Sequence, residues 1–138
     1  MFSENKPSYI LLLEDDRDDQ LFFEEALGQV ALTTRLINIT HSDQLFAALQ
    51  AQLPDLIVID PWLGLGSGLE SVQQLKAHPL YRHIPVIMWS TSRLEPVVSQ
   101  AYAAGMELFF EKPCSLSLLE SILLEVFDRY LPSKRQCA

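Results

Sequence analysis

Hydrophobic residues follow two alternating patterns along the chain, short unbroken runs and longer stretches with helical spacing. The runs Tyr9–Leu13 and Leu56–Ile59 are too short for free helices, and such runs are typical of strands buried on both faces of a parallel sheet. Weaker apolar segments predict further strands over residues 36–40, 86–89 and 107–110. The chain therefore contains five candidate strands, with Leu56–Ile59 as the central one.

The first two helical segments carry apolar residues on one side and polar residues on the other. The first helix is expected to begin at Asp19, with Asp18 or Asp19 as its cap, and the second is expected to follow a cap at Ser42. The apolar sides of these two helices are expected to consist of Leu21, Phe22, Ala26 and Leu27, and of Leu45, Phe46, Leu49 and Leu53.

Three more helices are expected over residues 69–77, 94–104 and 116–131, and Ser115 is the expected cap of the last one. Five strands that alternate with five helices are typical of an α/β domain. We therefore expect a single domain built on a doubly wound, mostly parallel sheet, with helices on both faces and right-handed crossovers.

Composition narrows the class of protein. The 138 residues suit one domain, and 49% hydrophobic against 20% charged residues excludes a disordered chain. No apolar run approaches the ~20 residues of a membrane helix and no secretion signal is evident, so we expect a soluble protein of the cytoplasm. Two distant cysteines, Cys114 and Cys137, suggest neither a disulfide framework nor a zinc site. The net charge of −8 argues against tight binding to nucleic acid.

Polar residues that could do chemistry follow four of the five strands. Glu14 and Asp15 come after the first strand, Asp60 after the third, Ser90 after the fourth and Lys112 after the fifth. The carboxyl ends of parallel strands meet at one edge of the sheet, where such folds bind ligands. Taken singly, these acids could be helix caps, Ser90 could cap the fourth helix, and Lys112 could be a solvated surface residue. Together they predict a site in which carboxylates hold Mg²⁺ beside a pocket for an anionic group.

Four segments give the sequence a resemblance to the receiver domain of two-component response regulators. They read LLLEDD at residues 11–16, PDLIVID at 54–60 with a glycine eight residues later, IPVIMWSTS at 84–92, and FFEKP at 109–113. The resemblance covers roughly residues 8–131 and implies a flavodoxin-like strand order 2-1-3-4-5. The EDDRDD and AYAAG segments also resemble small single-domain receivers that partner phytochrome-like kinases.

The resemblance implies a phosphoryl site with a metal ion. Asp60 matches the residue that accepts a phosphoryl group from a phosphohistidine on a sensor histidine kinase or phosphotransfer protein. Asp15 matches a direct Mg²⁺ ligand, and Glu14 matches an acid that acts on the metal through water. The backbone carbonyl of Trp62 is also expected to bind the metal.

The resemblance also implies roles for residues on the last two strands. Lys112 neutralises charge during transfer, and Ser90 turns its hydroxyl toward the phosphoryl oxygen. Phe109 takes the place of the switch aromatic, and its inward position is expected to depend on packing, with Trp89 as a neighbour. The corresponding Lys–Pro bond is typically cis in the family, so the resemblance allows a cis bond at Lys112–Pro113 without deciding it.

Three positions depart from the family pattern. Gly64 stands where the loop usually carries proline, and Pro61 directly follows the acceptor instead. Thr91 takes the place of a smaller residue. Thr91 and Trp62 together are expected to reduce access to the site and slow the hydrolysis of the phosphoryl bond.

Three functions are compatible with these residues. The leading one is a stand-alone signalling switch, because few residues follow the last helix. A Mg²⁺-dependent phosphohydrolase with an aspartyl phosphate is the second, although such enzymes of the haloacid dehalogenase type have an Asp where this chain has Trp62. A receiver fold that binds partners without being phosphorylated is the third.

The signalling face is expected to comprise the fourth helix, the fifth strand and the last helix. Leu118, Leu124 and Phe127 widen the apolar side of the last helix beyond what burial against one sheet requires. A second copy of the chain, bound in a twofold homodimer, is the expected partner of this face.

Overall fold

The structure is a computed structural model and describes residues 8–31, 33–63, 67–93 and 95–131. Five parallel strands form one sheet in the order β2-β1-β3-β4-β5, which confirms the predicted order. The strands are β1 Tyr9–Leu13, β2 Arg35–Ile39, β3 Leu56–Ile59, β4 Val86–Ser90 and β5 Leu108–Glu111. Their ends differ from the sequence predictions by one residue at most, as is usual for element boundaries.

In the part of the chain that the structure describes, five α-helices connect and follow the strands. They are α1 Arg17–Val30, α2 Leu45–Ala51, α3 Gly68–Ala77, α4 Val97–Ala104 and α5 Leu116–Tyr130. Within the described ranges, no helix combines the length and the apolar character that crossing a bilayer requires.

Side chains alternate between two apolar layers, one on each face of the sheet. One layer contains residues of α1 and α5 and the other contains residues of α2, α3 and α4, as expected for a doubly wound fold. All residues of β1 and β3 are buried, which confirms that the central strands are covered on both faces.

Helix α1 begins at Arg17, so the predicted start at Asp19 is wrong. Asp16 is the N-cap, because its Oδ1 accepts hydrogen bonds from the backbone N–H groups of Asp18 (2.8 Å) and Asp19 (3.2 Å). The apolar side also differs from the prediction, since Phe23 is fully buried and Leu21 is 47% exposed. Three more acids follow Asp15 within four residues, with Arg17 among them, and the sequence pattern does not indicate which acid is the cap.

The second helix is also preceded by more structure than expected. Ser42–Gln44 form one turn of 3₁₀ helix whose N-cap is His41, not Ser42. The side-chain oxygen of Gln44 accepts hydrogen bonds from the backbone N–H groups of Thr40 and His41, each at 3.0 Å. The chain leaves α2 in an extended conformation at Gln52, and Leu53 is therefore 56% exposed and not part of the apolar side.

The fourth helix begins at Val97, later than the predicted residue 94, which lies outside the described residues. Pro96 immediately precedes it and has no N–H to leave unpaired at this end. The last helix was predicted correctly. Ser115 is its N-cap, and the hydroxyl of Ser115 accepts a hydrogen bond from the N–H of Leu118 at 3.2 Å.

A half-buried ion pair lies at the edge of the sheet opposite the strands' carboxyl ends. The Nζ of Lys76 on α3 lies 3.0 Å from Glu107 Oε2 and also donates to the carbonyl of Ile84 at 2.9 Å. Glu107 Oε1 in turn accepts a hydrogen bond from the N–H of Val86 at 2.7 Å. These contacts tie α3 to the beginnings of β4 and β5.

Candidate phosphoryl site

The carboxyl edge of the sheet brings together side chains from distant parts of the sequence. Glu14 directly follows β1, Asp60 directly follows β3 and Lys112 directly follows β5. The Nζ of Lys112 lies 2.9 Å from Glu14 Oε1 and 2.8 Å from Asp60 Oδ2. Lys112 is therefore a buried member of the site and not a solvated surface residue.

A third carboxylate, which the sequence reasoning did not assign to the site, also contacts this lysine. Asp19 Oδ2 lies 2.7 Å from Lys112 Nζ, and Asp19 is on the first turn of α1. The ammonium also lies 4.8 Å from the centre of the Trp89 ring, a distance at which a cation and an aromatic face attract each other. Lys112 thus has three carboxylates and one aromatic ring around it.

Asp60 is held in place on both sides of its carboxylate. Its Oδ1 accepts a hydrogen bond from the backbone N–H of Trp62 at 2.8 Å, and its Oδ2 accepts one from Lys112 at 2.8 Å. Its own N–H donates to the carbonyl of Leu13 at 3.0 Å, which extends the pairing of β3 with β1 to the site. The carboxylate is therefore oriented and only slightly exposed.

The absence of a side chain at Gly68 lets the start of α3 lie close to the backbone of Asp60 and Pro61. A Cβ at Gly68 would lie 2.5 Å from Pro61 Cα and 2.6 Å from the Asp60 carbonyl oxygen. Only a residue without a side chain fits there, which accounts for the glycine eight residues after Asp60.

Glu14 is fully buried. Its Oε2 accepts a hydrogen bond from the N–H of Asp16 at 3.0 Å, and its backbone carbonyl accepts hydrogen bonds from the side-chain amides of Gln20 (2.8 Å) and Asn38 (3.1 Å). Oε1 is close to Lys112 but is not in hydrogen-bonding geometry with it. Burial raises the pKa of Glu14 to about 7, and the nearby Lys112 only partly opposes this rise.

The pKa of Lys112 shifts in the direction that keeps it charged. Burial alone would lower the pKa, but hydrogen bonds to Asp19 and Asp60, together with the nearby negative charge of Glu14, outweigh burial and raise it. The lysine is therefore a permanent cation at neutral pH. Three carboxylates face this one ammonium, so an excess of negative charge remains when all three are ionised.

Of the other predicted site residues, Trp62 and Ser90 meet this cluster through their backbones, since the N–H of Trp62 donates to Asp60 and the carbonyl of Ser90 accepts from the N–H of Lys112. Asp15 and Thr91 are exposed, and the Trp62 side chain is 54% exposed. Ser90 is buried, and its Oγ accepts a long hydrogen bond of 3.4 Å from the N–H of Ser92. Ser90 does not cap α4, which begins seven residues later.

The acids in the described part of the chain do not form a ready-made metal cage, because no group of three or more Asp, Glu, His or Cys side chains is arranged to hold an ion. Lys112 lies between the carboxylates instead. The donors available at this edge are nevertheless all oxygens, and Glu14 Oε1 is buried without a hydrogen bond. Oxygen donors and excess negative charge fit a hard divalent cation.

Phe109 on β5 is only 7% exposed and packs in the layer of α2, α3 and α4. Trp89 belongs to the opposite layer, so the expected contact between these two rings is wrong. Trp89 is paired with Phe110 on the neighbouring strand, and side chains at adjacent positions along a strand point to opposite faces of the sheet. The rings of Phe109 and Trp89 therefore lie on opposite faces. The guanidinium of Arg93 lies 5.4 Å from the centre of the Phe109 ring.

Among the described residues the cis peptide bond is Glu95–Pro96. The Lys112–Pro113 bond, for which the resemblance allows a cis form, is not cis.

The apolar side of the last helix differs from the prediction. Phe127 is 1% exposed and belongs to the core, because the last helix packs against α1 as well as the sheet. Of the three residues expected to widen the apolar side of the last helix, only Leu118 is exposed, and Leu124 is half-buried. The position Gly64 lies outside the described residues.

Comparison with known proteins places these features in a family. The family model for the response regulator receiver domain matches residues 10–124. The response regulator Rcp1 of Synechocystis sp. is 29% identical over 119 residues, which are 81% of each chain.

Two solved structures have the same fold. The phosphorylated cyanobacterial phytochrome response regulator RcpA superposes with a TM-score of 0.82 at 26% identity, covering 92% of this chain and 96% of its own. The Mn²⁺-bound form of Rcp1 superposes with a TM-score of 0.79 at 27% identity, covering 96% of this chain and all of its own.

Proposed function

Since the chain belongs to the response regulator receiver domain family, we propose that Asp60 accepts a phosphoryl group from a phosphohistidine of a sensor histidine kinase or phosphotransfer protein. The observation that carries this proposal is the contact between the buried Lys112 ammonium and Asp60 Oδ2 at 2.8 Å. A carboxylate that is oriented by a fixed cation is suited to attack phosphorus, because the cation neutralises charge as transfer proceeds.

The transfer is a single displacement. A carboxylate oxygen of Asp60 forms a bond to phosphorus as the bond between phosphorus and the histidine nitrogen breaks, and the electron pair stays with the imidazole. Lys112 then pairs with a phosphoryl oxygen, and the N–H of Trp62 continues to hold the other side of the carboxylate. The product is an acyl phosphate on the protein.

Mg²⁺ is the proposed cofactor, and Glu14, Asp15, Asp60 and the backbone carbonyl of Trp62 would hold it. When bound, the metal supplies positive charge that neutralises the phosphoryl oxygens. Metal binding would also require that Glu14 be ionised. A carboxyl with a pKa of about 7 is partly protonated at neutral pH and must lose its proton to bind a cation. The Mn²⁺-bound Rcp1 structure supports a divalent metal at this type of site.

The signal leaves the domain through a change of surface. Ser90 turns its hydroxyl toward the new phosphoryl oxygens, and Phe109 responds through the segment that follows β4. Output is binding to another protein, and the chain acts as a cytoplasmic switch rather than as an enzyme on other substrates. The likeness to Rcp1 and RcpA supports a phytochrome-type kinase as the phosphoryl donor.

Labelling with a small phosphoryl donor tests the proposal. Incubation with phosphoramidate and Mg²⁺ should add one phosphoryl group to the parent protein, measured as intact mass, and none to Asp60→Asn. Asp43→Asn is the matched control, because Asp43 is exposed in the 3₁₀ turn and the change in charge is the same. Equal labelling of Asp60→Asn and the parent would refute the acceptor, and rapid steady release of phosphate would favour a phosphohydrolase.

A further inference from the structure

Asp19 is the one carboxylate around Lys112 that the proposed phosphoryl chemistry does not use. Its contact with Nζ, at 2.7 Å, is shorter than those of Asp60 and Glu14. Asp19 is on the first turn of α1, and Lys112 directly follows β5. The contact therefore joins two residues that are 93 positions apart in the sequence.

The three carboxylates match the number of hydrogens that an ammonium can donate. Two of these acids change their partners in the proposed reaction, because Asp60 becomes an acyl phosphate and Glu14 is a proposed metal ligand. Asp19 has neither task, and it stays next to the lysine on a helix whose packing against α5 is extensive.

The fourth contact of Lys112 does not replace Asp19. The Trp89 ring faces the ammonium at 4.8 Å and gives it an attractive surface, but an aromatic face fixes neither the direction of an N–H nor its distance as a carboxylate does. Of the groups around Nζ, Asp19 is thus the charged one that is free to keep its bond before and after transfer.

We propose that Asp19 is a positioning residue, which holds the Lys112 ammonium at the phosphoryl site while Asp60 and Glu14 exchange their partners. This role rests on the proposed function, because it assigns Asp19 to the same site. Without Asp19, Lys112 pairs only with Glu14 and Asp60, and it then competes with the metal for the same carboxylates.

The test compares Asp19→Asn with Asp18→Asn. The two changes remove the same charge from the same helical turn, but Asp18 is exposed and is not among the ion-pair partners of Lys112 in the described structure. Labelling by phosphoramidate and Mg²⁺ should slow roughly three- to tenfold in Asp19→Asn and stay within about twofold of the parent in Asp18→Asn. Urea unfolding of both variants checks that each one folds.

A double-mutant cycle separates positioning from a general structural effect. If Asp19 acts through Lys112, Asp19→Asn should cause no further slowing when Lys112 is already replaced by methionine. Slowing by the same factor in both backgrounds would overturn the proposal, and so would equal rates for Asp19→Asn and Asp18→Asn.

A ¹⁵N NMR measurement on the unphosphorylated protein makes the test independent of phosphorylation. The hydrogen bonds to Asp19 and Asp60 and the close contact with Glu14 should slow the exchange of the Lys112 Nζ hydrogens with water, so that the ¹⁵N signal of Nζ is visible near neutral pH. The signal should broaden or vanish in Asp19→Asn and persist in Asp18→Asn. An unchanged signal in Asp19→Asn would overturn the positioning role. Failure of the parent to take up phosphate would instead refute the proposed function.

Discussion

Replacement of Gly68 by alanine should disturb the site without changing any of its polar side chains. The new Cβ would lie 2.5 Å from Pro61 Cα and 2.6 Å from the carbonyl oxygen of Asp60. Carbon atoms in good contact are about 3.5–4.0 Å apart, so the start of α3 and the Asp60–Pro61 backbone must separate by about 1 Å. Both neighbours are backbone and cannot turn aside as a flexible side chain would.

The size of the effect follows from this displacement. Overpacking of this kind costs about 1–3 kcal/mol of unfolding free energy, which urea unfolding measures. A displacement of about 1 Å at a reacting group can cost roughly a hundredfold in rate, because attack depends on the position of the carboxylate. The rate at which phosphoramidate labels Gly68→Ala should therefore fall by more than the loss of unfolding free energy alone would predict.

Gly28→Ala is the control that the chain itself provides. Gly28 is inside α1, and nothing lies within 4 Å of the position that its Cβ would take. Alanine there should raise stability by up to about 1 kcal/mol, as expected from helix propensity, and leave labelling unchanged. If Gly68→Ala labels and unfolds like Gly28→Ala, the argument from close approach is wrong.

Three further outcomes are expected. Lys76→Met should lower the unfolding free energy by about 1–3 kcal/mol in urea, because it leaves the half-buried Glu107 carboxylate without its charged partner, and a loss below about 0.5 kcal/mol would contradict this. Burial raises the pKa of Glu14 from 4.5 to about 7, so its contribution to stability is complete below pH 4.5 and is lost as pH rises through 7. The stability of Glu14→Gln relative to the parent, measured by unfolding without divalent metal, should therefore increase between about pH 5 and pH 8, whereas a constant difference would refute the burial effect. Sedimentation with beryllofluoride tests the homodimer through the face that includes Leu118, and a monomer at tens of micromolar with and without it would exclude that dimer.

Sequence reasoning was most successful where one physical constraint dominated. Continuous apolar runs such as Leu56–Ile59 have to be buried on both faces, and this property located the sheet and the edge at which Asp60 and Lys112 meet. The cap at Ser115 was also recognisable, because a hydroxyl residue before an apolar helical pattern satisfies the first free N–H groups.

The contacts of Asp19 and Trp89 with Lys112 could not be predicted in this way. Asp19 was considered as a cap, and that role belongs to Asp16, so the helix starts earlier than its apolar pattern suggests. An early start brings Asp19 into the first turn of α1, where its side chain reaches a lysine from the other end of the chain. Such contacts depend on how the elements pack and leave no signal in local spacing.

The face to which a strand residue points was the other source of error. Trp89 is the neighbour expected for Phe109, because the inward position of a phenylalanine has to depend on packing and not on a hydrogen bond. The register of β4 and β5 pairs Phe109 with Met88, which puts its ring on the opposite side of the sheet from Trp89. A shift of one residue reverses the face, so only the observed register could decide this point.

The attachments of β5 limit the kind of motion by which this domain can transmit a signal. At its start, Glu107 is bonded to Val86 and Lys76, and beyond its end the N–H of Lys112 donates to the carbonyl of Ser90 at 2.6 Å. A strand anchored to its neighbour at both ends cannot slide along it without breaking these hydrogen bonds. If Asp60 is phosphorylated as proposed, we therefore expect its chemical state to cross the sheet as rotations of side chains such as Phe109, with the backbone of β5 acting as a fixed axis.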